Sequence, residues 1–270
     1  MPQSAATWRP SGQVIDQLIG LALQAGHIAL HYFTYTTPHL KIDQTLVTQA
    51  DVEIEQFLAE QIKSTFPDHS LIAEEGQWGA IDPARPIWAL DPLDGTTAFV
   101  HGLPGWGISI GALHRGQPCF GLFYMPLLND LTYTTQRGEV YGNGRNLRRA
   151  VRREWGAKGF LAVGSSTYRS FELDVPRIRT LGSAGASLIY TARGAAAGAL
   201  IPKARVWDIV AGAAILERAG GRLHYLSGQP IDYEHLLDGR LAPEPILAGH
   251  PAMLAELQGA IRPLNRKPET

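Results

Sequence analysis

The chain has 270 residues, of which 45% are hydrophobic and 18% charged, with a formal net charge of -1. That balance provides for a sizeable buried core and argues against a nucleic-acid-coating protein, while a small anionic substrate stays compatible because local charge can outweigh the global balance. Cys119 is the only cysteine, which excludes an intrachain disulfide and a Cys-based zinc site.

Residues 1–10 are polar and lack a leader-like apolar core, and no long apolar run occurs, so neither a leader nor a membrane span is expected. A reducing cytoplasm is the simplest compartment. Val14, Leu18, Leu21, Ala22, Ala25, Ile28 and Ala29 recur at helical spacing and predict a helix over 13–33. Residues 34–45 are polar, contain Pro38 and read as a loop. A second amphipathic helix over 48–66 carries Val52, Ile54, Phe57, Leu58 and Ile62, and Pro67 ends it. Strands follow at 69–73, 87–91, 107–114, 119–125 and 131–135, with turns at 135–138 and 142–146. In the second half, strands are expected at 159–163 and 175–181, with room for about one helical turn between them. Helices are expected at 183–193 and 208–219. Gly220-Gly221 stops the latter, and strands at 222–225 and 246–248 precede a closing helix at 251–261. The mixture has no regular βαβ beat, so the fold class is layered α/β or α+β.

Four short stretches could carry chemistry. The first is Asp91-Pro92-Leu93-Asp94-Gly95-Thr96, after an apolar lead-in. Carboxylates at a strand end suit hard cations such as Mg²⁺. The two acids diverge around Pro92, one could bridge two cations, and the Leu93 carbonyl is free to ligate. A Gly-Thr turn opening a helix suits a phosphate. The plainer reading makes Asp94 an N-cap. The second is Glu74-Glu75-Gly76, where an extended backbone would send the acids to opposite sides and leave Glu74 as ligand. The third is Trp207-Asp208 before an apolar helix, where Asp208 alone reads as an N-cap. The fourth is Asp51 in the first turn of the second helix, useful if it reaches a threonine hydroxyl or a water. No Walker-type Gly-rich loop is present. Arg145, Arg148, Arg149, Arg152 and Arg153 read as a solvated face.

Together the four stretches resemble the inositol monophosphatase family of metal-dependent sugar-phosphate phosphatases, over residues 14–261 and most densely at 46–51, 72–76, 88–111, 179–184 and 207–221. The resemblance implies a layered αβαβα sandwich, with 1–270 as one domain of two packed halves, about 1–145 and 146–270. It implies two Mg²⁺ ions, one on Glu74, Asp91 and the Leu93 carbonyl, the other on Asp91, Asp94 and Asp208, with a third, weaker one near Glu74. Asp51, Thr96 and Glu74 would be the catalytic groups, Asp51 with Thr96 orienting and helping deprotonate the attacking water. Gly95 and Thr96 would hold the phosphate. Asp94, Gly182, Ser183, Ala184 and Asp208 would lie near the substrate. The expected partner is a small phosphorylated substrate, with no nucleic acid and no membrane. Li⁺ sensitivity and a homodimer complete the family picture.

The chain departs from that pattern at Ile201, where many members place a ring-facing acid seven residues before the Asp of Trp-Asp. A ring hydroxyl left without its acceptor costs about 1–3 kcal/mol. Inositol specificity is therefore open, and fructose 1,6-bisphosphate, 3′-phosphoadenosine 5′-phosphate and histidinol phosphate remain alternatives, as does a non-catalytic binding member. Lys203 could meet a second anionic group. Ala98 replaces a frequent Asn, and Lys41 falls one residue out of register with the family's loop lysine.

Overall fold

The computed structural model describes residues 7–76, 78–147 and 151–264. Helix α1 (Gly12–Tyr32) starts at Ser11, whose hydroxyl accepts from the Val14 amide, and it buries Ile15, Leu18, Ala22, Ala25 and Ala29. The expected loop after it holds a minimal hairpin, β1 (His39–Leu40) against β2 (Leu46–Val47). Helix α2 (Gln49–Thr65) follows with a reciprocal capping box between Thr48 and Asp51. Both helices agree with the apolar periodicity to within a residue at each end.

The first sheet takes β3 (Ser70–Ala73), β4 (Ile87–Asp94), β5 (Gly107–His114), β6 (Gln117–Met125), β7 (Asp130–Thr134), β8 (Val140–Gly142) and β9 (Arg145–Asn146), in that spatial order. Only the β3–β4 pair is parallel. A short helix α3 (Thr96–Val100) leaves the end of β4. All eight residues of β4 are buried, because helices cover both faces of the sheet. β4 runs past the expected end at Asp91: its register against β5 shifts between Asp91 and Asp94, and that irregularity admits Pro92 into the strand.

The second half contains β10 (Leu161–Val163), α4 (Thr167–Ser170), β11 (Phe171–Leu173), β12 (Ile178–Thr180), α5 (Ala184–Ala192), β13 (Gly198–Ile201), α6 (Val206–Arg218), β14 (Arg222–Tyr225), β15 (Ile246–Gly249), α7 (Pro251–Ala260) and β16 (Ile261–Pro263). Its sheet has the order β12-β10-β13-β15-β14, the first three parallel and the last two antiparallel to their neighbours. Helices α5 and α6 pack between the two sheets, α1 and α2 cover the outer face of the first, and α7 covers the second. The layers therefore run αβαβα. Separate buried clusters fill them: Leu18, Trp88 and Phe99 outside the first sheet, Leu188, Ile209 and Trp207 between the sheets, and Leu161, Met253 and Leu257 beneath α7.

Several expectations need correcting. β13 is absent from the sequence reading because its Gly-Ala-Leu-Ile run carries little strand propensity; pairing on both sides and full burial decide it instead. The 165–176 segment has its single turn, α4, but also β11, which pairs with β16 from the far end of the chain. The strand expected over 175–181 shortens to the exposed β12. Of the arginine cluster, Arg148 and Arg149 lie outside the described residues, and Arg152 is half-buried with its Nε donating to the Gly194 carbonyl, so that group is not simply a solvated face.

Candidate metal centre

Four segments bring the acidic residues together. β4 ends on Asp91 and Asp94, which are 2% and 5% exposed. The Leu93 amide donates to Asp91 Oδ1 at 3.1 Å, a local turn that follows from Pro92. Gly95, at φ +96°, makes the sharp exit into α3; a Cβ there would sit 2.8 Å from Ser183 Cβ, so conformation and space both demand glycine. Gly95 also occupies the N-cap position of α3. Asp94 is thus not that helix's cap. Its Oδ2 instead accepts from the Gly185 amide at 2.6 Å, tying β4 to the start of α5. Burial pushes the Asp94 carboxyl up to about 7, against hydrogen bonds from Ser183, Gly185 and Ala184.

Helix α2 supplies Asp51, which is fully buried. Its Oδ2 accepts from the Thr48 amide at 2.8 Å and the Thr48 hydroxyl at 2.6 Å. Its Oδ1 lies 3.0 Å from Thr96 Oγ1, which also stands 3.2 Å from the Leu93 carbonyl. The Asp51–Thr96 pairing needed for a functional reading is therefore present. Helix α6 supplies Asp208. The helix begins two residues earlier than expected, so Asp208 is its third residue and Arg205 holds the N-cap position; Asp208 Oδ2 accepts from the Arg205 amide at 2.7 Å. Burial first, then repulsion from Glu74, raises Asp208 well above the carboxylate range, and Asp91 rises for the same reasons with added repulsion from Asp94, Asp208 and Asp51. Those mutual effects mark one cluster of negative charge.

β3 ends at Ala73, so Glu74 and Glu75 lie in a bend and the alternation of an extended strand does not apply. Both acids face Lys41, whose Nζ is 2.8 Å from Glu74 Oε1 and 2.5 Å from Glu75 Oε1. Burial would lower the Lys41 pKa, but the charges of Glu74 and Glu75 hold it well above the usual amine range. Glu75 is pushed up to about 7 by burial and by Glu74. A cavity of about 500 Å³ opens beside this bend, lined by Glu74, Glu75, Trp78, Arg205, Trp207 and Gly239. Arg205 Nη2 closes toward Asp43 Oδ2 at 3.1 Å.

Gly182, Ser183 and Ala184 form the turn beside Asp94, with Ser183 as N-cap of α5. Ile201 is 5% exposed and belongs to the core between the sheets, whereas Lys203 is exposed. Two further patterns carry no chemistry of this kind. Gly107-Ile108-Ser109-Ile110-Gly111 has the spacing of a nucleophile elbow, but Ser109 lies within β5, 1% exposed and opposite Asp91, not on a strand-to-helix turn. His27 and His31 stand four apart on α1 without a third ligand: among the described residues, no three His, Cys, Asp or Glu side chains form a ready-made ion cage. The donor chemistry nonetheless fits hard cations. Buried and half-buried carboxylates that raise one another's pKa lack counter-charge, and Lys41 and Arg205 supply only part of it. Sequence reasoning missed Glu55, which is 2% exposed on α2 and bonded to the Glu75 amide; the available signal was its position four residues after Asp51 on the same helical face.

The model of the inositol monophosphatase family matches residues 12–260. The chain belongs to the inositol monophosphatase family. It is 29% identical over 222 residues to a fructose-1,6-bisphosphatase/inositol-1-monophosphatase of Thermotoga maritima, covering 80% of this chain and 86% of that one. It is 30% identical over 239 residues to the Nus factor SuhB of Pasteurella multocida, covering 83% and 85%. The solved structure of an IMPase from Thermotoga maritima matches with a TM-score of 0.78 at 25% identity, over 92% of this chain and 96% of that one. Membership in the inositol monophosphatase family supports a phosphatase of this superfamily. The SuhB name leaves the substrate and the catalytic role to the site itself. No helix among the described residues is long and apolar enough to cross a membrane.

Proposed function

We propose that the protein is a Mg²⁺-dependent phosphomonoesterase acting on a small sugar or polyol phosphate, such as inositol monophosphate, by attack of an activated water on phosphorus. The observation that carries this reading is the gathering of Asp51, Asp91, Asp94 and Asp208 with Glu74 around the Asp51–Thr96 pair. Glu74, Asp91 and the Leu93 carbonyl would hold one cation, Asp91, Asp94 and Asp208 a second, and Glu74 a weaker third. Bound there, such cations neutralise the phosphate, lower the pKa of a coordinated water and stabilise the departing oxygen. The chain's own groups do the rest. Thr96 Oγ1, held by Asp51 Oδ1, orients the water and relays its proton to a carboxylate shut away from solvent. The Gly95 and Thr96 amides at the start of α3 receive the phosphate oxygens. Ser183 and Ala184, tied to Asp94, flank the leaving alcohol. No protein nucleophile is needed, because phosphoryl transfer asks for positioning and charge stabilisation.

Ile201 favours a second reading of the substrate. It is buried and apolar where an inositol-ring acceptor is expected, so fructose 1,6-bisphosphate, 3′-phosphoadenosine 5′-phosphate or histidinol phosphate become the competing substrates. The SuhB relative supports a third reading, a non-catalytic partner protein. The family picture adds Li⁺ inhibition, a homodimer, one domain of two packed halves and, with the lone buried Cys119, a reducing cytoplasm. A phosphate-release assay over inositol, fructose, nucleotide and histidinol phosphates decides among them. Mg²⁺-dependent release from at least one, suppressed by Li⁺, is expected. Release from none would overturn the phosphatase reading.

A further inference from the structure

Glu55 is a buried acid that no step above uses. It lies one turn beyond Asp51 on α2, so the two carboxylates leave the same face of the helix. Asp51 turns to Thr96, while Glu55 turns to the bend that carries Glu74. Its Oε2 accepts from the Glu75 amide at 2.6 Å, and its Oε1 accepts from Trp78 Nε1 at 2.9 Å. The Gly76 amide donates to it as well. Lys63, two turns further along α2, donates to the Trp78 carbonyl at 2.7 Å. The bend is packed so closely on this carboxylate that a Cβ on Gly76 would fall 2.9 Å from Glu55 Oε1. A charged acceptor of amide and indole N–H groups makes the strong class of hydrogen bond. A 2%-exposed acid also costs free energy to bury, which these donors offset.

We infer that Glu55 is a positioning residue of the metal centre: it fixes the backbone of the Glu74–Gly76 bend and so sets where Glu74 presents its carboxylate relative to Asp91 and Asp208. The inference rests on the proposed metal reading. Helix α2 thereby locks two parts of the site at once, the water-orienting Asp51 and the exit of β3. A structural role alone would change stability and leave cation affinity untouched.

The test is a Mn²⁺ titration of the metal-stripped full chain, followed by the loss of the free-ion electron paramagnetic resonance signal. Glu55→Gln keeps the size but sets an amide N–H₂ against donors. Gly76→Ala leaves Glu55 in place but displaces its carboxylate, at an exposed position where alanine threatens the fold little. Both variants are expected to melt as cooperatively as the unaltered protein and to bind Mn²⁺ about 10–100-fold more weakly, the range for groups that orient metal ligands. Excess Mn²⁺ should restore their turnover. Unchanged Mn²⁺ affinity in both folded variants would overturn the inference while leaving the metal reading intact. No Mn²⁺ binding by the unaltered protein would remove the metal reading and this inference with it.

Discussion

Asp91 shows what a single residue does here. Alone, a carboxylate 2% exposed and crowded by Glu74, Asp94 and Asp208 destabilises the metal-free fold. With cations present, the same repulsion becomes affinity. Asp91→Asn should therefore raise the melting temperature of the metal-free protein and abolish the stabilisation that Mg²⁺ gives. Turnover should fall by more than about 100-fold, beyond the range for outer-shell groups. Retained turnover, or an unchanged response to Mg²⁺, would reject the assignment. His69 makes a different prediction. Its ring stacks on Phe66 at 4.8 Å, and its Nδ1 accepts from Trp88 Nε1 at 3.2 Å. Burial lowers its pKa below the ordinary 6.5, aided by Arg85 and His114 and opposed by Asp68. The unfolded chain therefore takes up the proton first, and the stability His69 contributes is complete above about pH 6.5 and lost as pH falls through the lower folded value. Between about pH 7 and pH 5 the raised carboxylates Asp94 and Glu75 take up protons in the folded state and stabilise it, while His69 opposes that gain, so melting temperature should rise more, or fall less, in His69→Gln, whose amide can still accept the indole N–H. Equal slopes would contradict this. At this scale the sequence made Asp51, Asp91, Asp94 and Asp208 legible because they sit in compact phrases. Glu55 was not, since an acid within an amphipathic helix reads equally well as a solvated one.

Among the elements, α6 matters most to the site, because its third residue is Asp208. It seats on the first sheet through glycines: a Cβ on Gly121 would fall 2.1 Å from the Ala211 carbonyl oxygen, and one on Gly111 2.7 Å from the Ala211 amide. Close seating brings Asp208 down to Asp91. Gly121→Ala should cost about 1–3 kcal/mol by overpacking and weaken Mn²⁺ binding together with stability. A urea midpoint equal to that of the unaltered protein would show that the helix yields freely and that its seating does not set the site. Periodicity made α1 and α2 readable because each has one wet and one dry face. β13 was unreadable for the converse reason: it is buried on all sides and built partly of glycine and alanine, so no alternation survives. The start of α6 was misplaced because Arg205 caps it without a preferred capping residue.

Over the whole molecule, the site belongs to no single element. Its acids come from α2, the bend after β3, the end of β4 and the start of α6, and the turn into α5 is pinned to them by Asp94. Burial of both faces of the first sheet holds these pieces in one place, with α2 on one side and α6 on the other. The layered arrangement was legible from the alternation of helical and strand-like runs, since each must bury one face. The substrate was not, because the turns proposed to flank a leaving alcohol are joined only in the folded chain, and a buried Ile201 stands where the family resemblance implies a ring-facing acid. On the proposed reading, the clustered carboxylates form a cation site. Anomalous diffraction from crystals soaked in Mn²⁺ measures that directly. Peaks are expected between Asp91 and Glu74 and between Asp94 and Asp208, with Lys41 moved off Glu74. Saturating Mn²⁺ with no anomalous density at Asp91 would contradict it.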